Sequence, residues 1–283
     1  MVRVDPLNGV MRVIGVQYDI AWEHRERNFR TIERMVAEAR PAPGSWVVLP
    51  EMYSTGFSFR VDKVEEGDDR PGEAFLAGLA QRYGVQVIGG VVRRAGDGRG
   101  RNQAVVFGAD GSELGRYTKI HPFSFAGEDK HYATGTRPLV FAFPHGSISP
   151  LVCYDLRFPE AFRSGARTGT DLFAVIANWP VDRIAHWEAL LRARAIENQA
   201  YVIGVNRIGD DPKLHYPGHT MIVDPRGEIL ERLVESGGTV QCDLDLEDLR
   251  AYRKSFPGLD DIHDNLLGER ADVVRVDPAD ARQ

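Results

Sequence analysis

The chain has 283 residues, with 35 Lys and Arg against 41 Asp and Glu, a formal charge of −6, and 43% hydrophobic and 27% charged residues. That balance excludes a wholly disordered, collagen-like or coiled-coil chain, and the mild acidity argues against a broad nucleic-acid surface, which shows as a basic excess. No apolar run approaches the roughly 20 residues that span a bilayer, the start MVRVDPLNGVMRVIG lacks the apolar core of a secretory signal, and the two cysteines, Cys153 and Cys242, make no disulfide framework, so a reducing, cytoplasmic location is expected.

From the N-terminus, the first expected strand is Met11–Gln17. A helix follows over Glu26–Arg40, where Phe29, Ile32, Val36 and Ala39 share one face and Pro41 stops it. Trp46–Leu49 reads as a strand, apolar on both faces, running straight into Pro50 and Glu51. Glu73–Tyr83 is helical, with Phe75, Leu76, Leu79 and Ala80 on one stripe. Strands at Val85–Val92 and Ala104–Gly108 flank the glycine-rich Gly96-Asp-Gly-Arg-Gly100, which therefore reads as a hairpin turn and not as a phosphate cradle. Ala109-Asp-Gly-Ser is a turn. Further strands are Leu139–Phe143, Ile148–Cys153 and Leu172–Ala177. Ile184–Gln199 is a helix with Trp187, Leu190, Leu191 and Ala195 on its apolar stripe. Tyr201–Asn206, Met221–Asp224 and Thr239–Asp243 complete the strands, with a turn at Asp224-Pro-Arg-Gly.

Strands interleaved with helices give an α/β class whose sheet strands are sheltered by helices. No Ser/Gly/Pro-rich linker divides the chain, so a single domain is expected over residues 1–243. Residues 244–283 are more polar, contain Pro257, Gly258 and Pro278, and read as a C-terminal extension with a frayed end at Asp277-Pro-Ala-Asp-Ala-Arg-Gln.

Three strand ends carry reactive groups. Cys153 ends the run Leu151-Val-Cys and precedes a polar turn and a helix, whose free amides favour a thiolate; a lone cysteine is equally a small core residue. Glu51 follows the apolar run through Pro50, where partial desolvation raises a carboxyl toward a useful base; the alternative is a solvated loop acid. Lys119, in Arg116-Tyr-Thr-Lys-Ile-His-Pro122, offers a fixed cation or is one more surface lysine. Together a thiol, a carboxylate and an ammonium form a kit for acyl transfer. Cys242, in an alternating strand with no activating neighbours, reads as core. No metal or cofactor is implied: His215-Tyr-Pro-Gly-His219 has a suggestive spacing but Pro217 breaks a helical context, and no Cys or acidic partner is evident.

The segments Leu49-Pro-Glu51, Tyr117-Thr-Lys119-Ile-His and Cys153-Tyr-Asp-Leu-Arg-Phe-Pro159 resemble, in order, the three signature regions of the nitrilase, or carbon–nitrogen hydrolase, superfamily. The resemblance runs from about Met11 to Asp243 and includes His186-Trp-Glu through Asn198 and Tyr201-Val-Ile-Gly-Val-Asn206. Phe125-Ala-Gly-Glu128-Asp-Lys-His131-Tyr132, Ala177-Asn-Trp179-Pro and Gly204-Val-Asn206-Arg-Ile-Gly209 look like its ω-amidase branch, which hydrolyses the terminal amide of 2-oxo acids such as 2-oxoglutaramate. One departure stands out. Pro217-Gly-His219-Thr220 replaces a Ser with His219, whose bulk bears on the pocket lining.

The resemblance implies a four-layer αββα sandwich, often dimeric, with Ala251–Pro257 reaching toward a partner in a homodimer. It assigns Cys153 as nucleophile, Glu51 as general base and Lys119 as oxyanion stabiliser, with the Tyr154 backbone N–H as a second donor. Glu128 would hold the substrate or the lysine, Tyr132 and Trp179 would line the pocket, and Arg157 would satisfy loop carbonyls. The implied partner is a small amide substrate, with no nucleic acid and no membrane. N-carbamoyl-amine or nitrile hydrolysis, and a non-catalytic binding protein on the same fold, are the alternatives.

Overall fold

The computed structural model describes residues 9–263 and 271–276; the expected frayed end from Asp277 onward lies outside the described residues. In chain order the strands are β1 Val10–Gln17, β2 Trp46–Val48, β3 Gln86–Arg94, β4 Gly100–Phe107, β5 Glu113–Thr118, β6 Leu139–Phe143, β7 Gly146–Val152, β8 Leu172–Ala177, β9 Tyr201–Asn206, β10 Ile208–Asp210, β11 His215–Val223, β12 Ile229–Val234, β13 Gly238–Asp245 and β14 Asp272–Arg275. The helices are α1 Arg25–Ala39, α2 Val61–Val64, α3 Pro71–Tyr83, α4 Glu128–His131, α5 Pro159–Ala166, α6 Ile184–Asn198 and α7 Leu246–Ser255.

Local chemistry sets the helix bounds. Arg40 adopts a left-handed conformation and returns its N–H to Ala37, closing α1 before Pro41. Pro71 opens α3, and Gly84 at φ +63° closes it.

Two sheets form. The first runs β13-β1-β2-β3-β4-β5; the second runs β10-β11-β9-β8-β7-β6-β14, with β12 added to β11. Parallel pairing is central in both: β1–β2–β3 in one and β7–β8–β9 in the other. Such pairs need crossovers, and α1, α3, α5 and α6 supply them. Alternation along the first sheet sorts its faces. Val13, Trp46, Val48, Ile88, Ala104 and Val106 join residues of the second sheet in one core, while Val16, Val47, Leu49, Val87 and Val105 pack with Ile32, Val36, Leu76 and Leu79 of α1 and α3 in another. The second sheet packs α6 against β9 and β11, with α5 against α6. The order is helices, sheet, sheet, helices: the four-layer αββα sandwich expected above.

Several elements differ from the sequence reading. The run ending at Cys153 stops as a strand at Val152, and Cys153–Arg157 forms a 3-10 turn. Beyond residue 243, α7 sets Leu246 and Leu249 into the central core, and Arg253 reaches Asp171, Thr170 and Gln199 of the same chain. β14 adds a parallel strand to β6. Among the described residues no helix is long and apolar enough to cross a membrane.

Candidate active site

In parallel sheets the crevice beyond the strands' carboxyl ends is where side chains converge on a ligand. Here two such ends face each other. β2 delivers Glu51 and β5 delivers Lys119 from the first sheet; β7 delivers Cys153 and β8 delivers Asn178 from the second.

Glu51 is buried, and its Oε1 accepts from Lys119 Nζ at 3.0 Å and from Asn102 Nδ2 at 2.7 Å. Its Oε2 accepts the Asn178 backbone N–H at 3.0 Å. The loop carrying Glu51 presses against β3 so closely that a Cβ on Gly90 would sit 2.4 Å from the Met52 nitrogen and 2.6 Å from Glu51 Cα; the position requires glycine. Buried Lys119 also donates to Glu128 at 2.8 and 3.1 Å. Glu128, fully buried at the start of α4, accepts from Asn102 at 3.0 Å and from the Phe123 N–H at 2.5 Å.

Burial alone would pull the Lys119 ammonium down, but the charges of Glu128 and Glu51 outweigh it and hold the group well above the ordinary lysine value. The amine is therefore a fixed cation. Two carboxylates take part of its three N–H groups, and Phe57 lies 5.3 Å away under it. Burial pushes the Glu128 carboxyl up, Lys119 pulls it back, and Glu51 adds to the rise.

Cys153 has φ +49°, a left-handed conformation in a non-glycine residue. The kink ends β7 and starts the 3-10 turn, so the Tyr154 N–H falls in the first turn, where amides have no partner within the turn. Asp155 fixes this elbow. Its carboxylate accepts from the Val152 N–H at 3.0 Å, the Tyr117 hydroxyl at 2.8 Å and the His121 N–H at 3.0 Å. The elbow is thereby tied to the strand end that carries Lys119. Cys153 Sγ lies 3.8 Å from the Asn178 carbonyl oxygen, so one residue bridges the thiol and Glu51. Burial and the Glu51 charge push the Cys153 thiol well up, with Lys119 opposing. The turn was expected to favour a thiolate; desolvation works against it and favours the proton on sulfur.

A cavity opens over Cys153, walled by Tyr154, Trp179, Tyr216 and Arg157 among others. Trp179 is held by its N–H to Asn206 Oδ1 at 2.7 Å and its Nε1 to the Arg183 carbonyl at 2.7 Å. Tyr132, expected on the pocket wall, is instead fully buried among Met52, Val64 and Val92 with its hydroxyl on the Ser58 carbonyl, and it lines neither this cavity nor its outer neighbour. Arg157, expected to satisfy loop carbonyls, lies 4.9 Å over the Trp179 ring on the cavity wall, because the 3-10 turn carries it back over the elbow. His219, at φ +62°, turns to Glu188 on α6 at 2.6 Å and is not on the cavity wall. His215 meets Asp210 at 2.8 Å, and among the described residues no group of three or more His, Cys, Asp or Glu is placed to hold a metal.

Two site residues were given no role by sequence reasoning, although Asn178 stands in the family-like segment Ala177-Asn-Trp179-Pro. Asn102 and Asn178 carry no charge and belong to no spacing rule. The available signal was a polar side chain at the edge of an apolar strand: Asn102 ahead of Ala104-Val-Val, and Asn178 just after Ala174-Val-Ile-Ala. Asn102→Leu keeps the volume and removes a donor from both carboxylates. We expect kcat to fall about 10- to 100-fold, the worth of charged hydrogen bonds, and the acidic limb of the pH–rate profile to move upward, since Glu128 loses a donor that favours its charged form. A steady-state pH series measures this; an unchanged profile would remove Asn102 from the acid–base machinery.

The family model for carbon–nitrogen hydrolases matches residues 12–254. The 2-oxoglutaramate amidase of Bacillus subtilis (strain 168) is 31% identical over 252 residues, covering 89% of this chain and 97% of the relative. The omega-amidase YafV of Yersinia enterocolitica is 37% identical over 263 residues, covering 91% and 98%. A CN-hydrolase superfamily protein from Xanthomonas campestris, solved with an arsenic adduct in its active site, superposes with a TM-score of 0.85 at 33% identity, covering 92% of this chain and 99% of that one.

Proposed function

This chain belongs to the carbon–nitrogen hydrolase family, and from that premise we propose that it is an ω-amidase, hydrolysing the terminal amide of a small carboxylated substrate of the 2-oxoglutaramate kind through a Cys153 thioester. The observation that carries the reading is the convergence of Glu51, Lys119 and Glu128 in one buried cluster joined to Cys153 through Asn178. The names of the relatives support the substrate class. So does Arg157, a cavity-wall guanidinium with no acidic partner among the described residues.

Glu51 takes the Cys153 proton as sulfur adds to the amide carbon. The oxygen of the tetrahedral adduct gains its negative charge beside the Lys119 ammonium and the Tyr154 N–H. Glu51 passes the proton to nitrogen as the carbon–nitrogen bond breaks, and ammonia leaves. Glu51 then draws a proton from water, the hydroxide adds to the thioester, and the acid and free thiol are released.

Ammonia release from 2-oxoglutaramate, set against an N-carbamoyl amine and a nitrile of similar size, tests the reading: turnover of either alternative at higher kcat/KM would overturn it. Trp179, with Arg157 stacked on it, lines the cavity wall. Two free thiols support a cytoplasmic enzyme, testable by fractionation. The exposed Ile196 of α6 and Phe256 beyond α7 support a homodimer through the outer helices, with residues 244–283 contributing; sedimentation as a monomer at micromolar concentration would refute it.

A further inference from the structure

The cavity over Cys153 adjoins a larger outer chamber, and Phe57, Phe123, Ala126, Arg183 and Leu214 line both. Arg183 is the charged member of that seam. It ends the 3-10 turn Val181–Arg183, which is anchored by the Trp179 indole bond to its carbonyl. Its guanidinium lies 5.3 Å over the Phe123 ring and meets no carboxylate among the described residues. Arg157 is the other cation of the inner wall, engaged with His186 Nδ1 at 3.1 Å and with Trp179. Among the described residues no Asp or Glu lies on that wall. Of the two acids on the outer chamber, Asp211 is committed to the Tyr216 hydroxyl and to backbone amides, and Asp182 is exposed to solvent. Burial and the neighbouring Arg183 charge both disfavour the Arg157 cation. Two guanidiniums of like charge on an aromatic, half-dry wall repel, and an anion placed between them removes the repulsion.

We propose that Arg183, at the seam of the two cavities, binds the carboxylate of the substrate and selects anionic over neutral amides. The proposal rests on the reading of the site as a carboxylated-amide hydrolase. Arg183 acts on binding: it lines the inner cavity together with Cys153, and its planar fork suits a carboxylate bidentately. Because the same interaction is present before and during bond breaking, its loss raises KM and leaves kcat.

The test compares glutaramate, which carries a carboxylate, with pentanamide, which does not, on the full-length wild type, Arg183→Met and Arg183→Lys. Arg183→Met is expected to raise KM for glutaramate about 10- to 100-fold, as for loss of a charge-assisted hydrogen-bonded pair, to hold kcat within about threefold, and to leave kcat/KM for pentanamide unchanged. Inhibition by glutarate, read without turnover, should weaken in parallel. Arg183→Lys keeps the charge and should fall between the two; it also serves if the methionine variant folds poorly by thermal denaturation. An unchanged KM for glutaramate in Arg183→Met overturns the proposal, as does an equal loss on both amides, which marks a structural role. A wild type that hydrolyses neither glutaramate nor 2-oxoglutaramate defeats the proposed function instead.

Discussion

Replacing Cys153 with alanine is expected to lower kcat for ammonia release by on the order of 10⁴-fold or more, as for loss of a covalent nucleophile, while the protein stays folded. The fold should survive because the change removes one sulfur and keeps the backbone preference. Alanine has the same difficulty as cysteine at φ +49°, and the elbow is held by Asp155 and not by the thiol. A cost of about 1 kcal/mol corresponds to a few degrees in Tm for a domain of this size. Ammonia assay and thermal denaturation on one preparation separate the two effects. Turnover within tenfold of wild type would end the thioester mechanism. A second measurement addresses the thiol itself. Alkylation of wild-type Cys153 should be slow for a free cysteine near pH 7, because burial and the Glu51 charge hold the proton on sulfur.

Lys119→Met is expected to cost about 3–5 kcal/mol of stability, as when one partner of a buried ion pair is removed, and to abolish activity together with it. The ammonium donates to Glu51 and to both oxygens of Glu128, all three side chains being buried. Without it two carboxylates share a buried site in which, among the described residues, no other cation donates a hydrogen bond to them. The variant's pH dependence has a definite sign. Burial already holds the Glu128 carboxyl above its ordinary value, with Lys119 pulling it back, so removing the lysine sends it higher. Between the ordinary value and the raised one, the unfolded chain has released a proton that the folded chain keeps. Folding then takes up a proton. The stability is fully present below the unfolded value and is lost as pH rises through the folded one. Denaturant unfolding of Lys119→Met should therefore show greater stability at pH 5 than at pH 8, with a steeper slope than wild type, and Glu128→Gln in the same background should restore part of the loss. A variant as stable as wild type across that range would show that the cluster is not a buried three-charge unit.

The layering was legible because its central strands are apolar on both faces. Leu172–Ala177 and Tyr201–Asn206 appear in the structure with the bounds read from sequence, and every residue in them is buried. Two outer strands were not legible. β12 is exposed along most of its length, β5 has one buried residue, and neither shows the alternation that marks a half-buried strand. The helix α7 hid in a polar segment because its contact with the core is two leucines. In the site, Glu51, Lys119 and Cys153 were marked by their chemistry at strand ends. Glu128 was found through resemblance, and the structure favours its lysine-holding role over substrate contact. Arg157 and Tyr132 were misplaced for a shared reason: whether a side chain near a strand end turns to the cavity or the core depends on the turn after the strand, and no pattern of residue types fixes that turn.

Glu51 and Lys119 hang from the first sheet and Cys153 from the second, and they meet through Asn178 on Glu51 and Tyr117 and His121 on Asp155. Neither half of the sandwich therefore owns the chemistry. A chimaera that took one half from a distant homologue would need to import these few matching contacts with it, or it would be a well-made but inert protein.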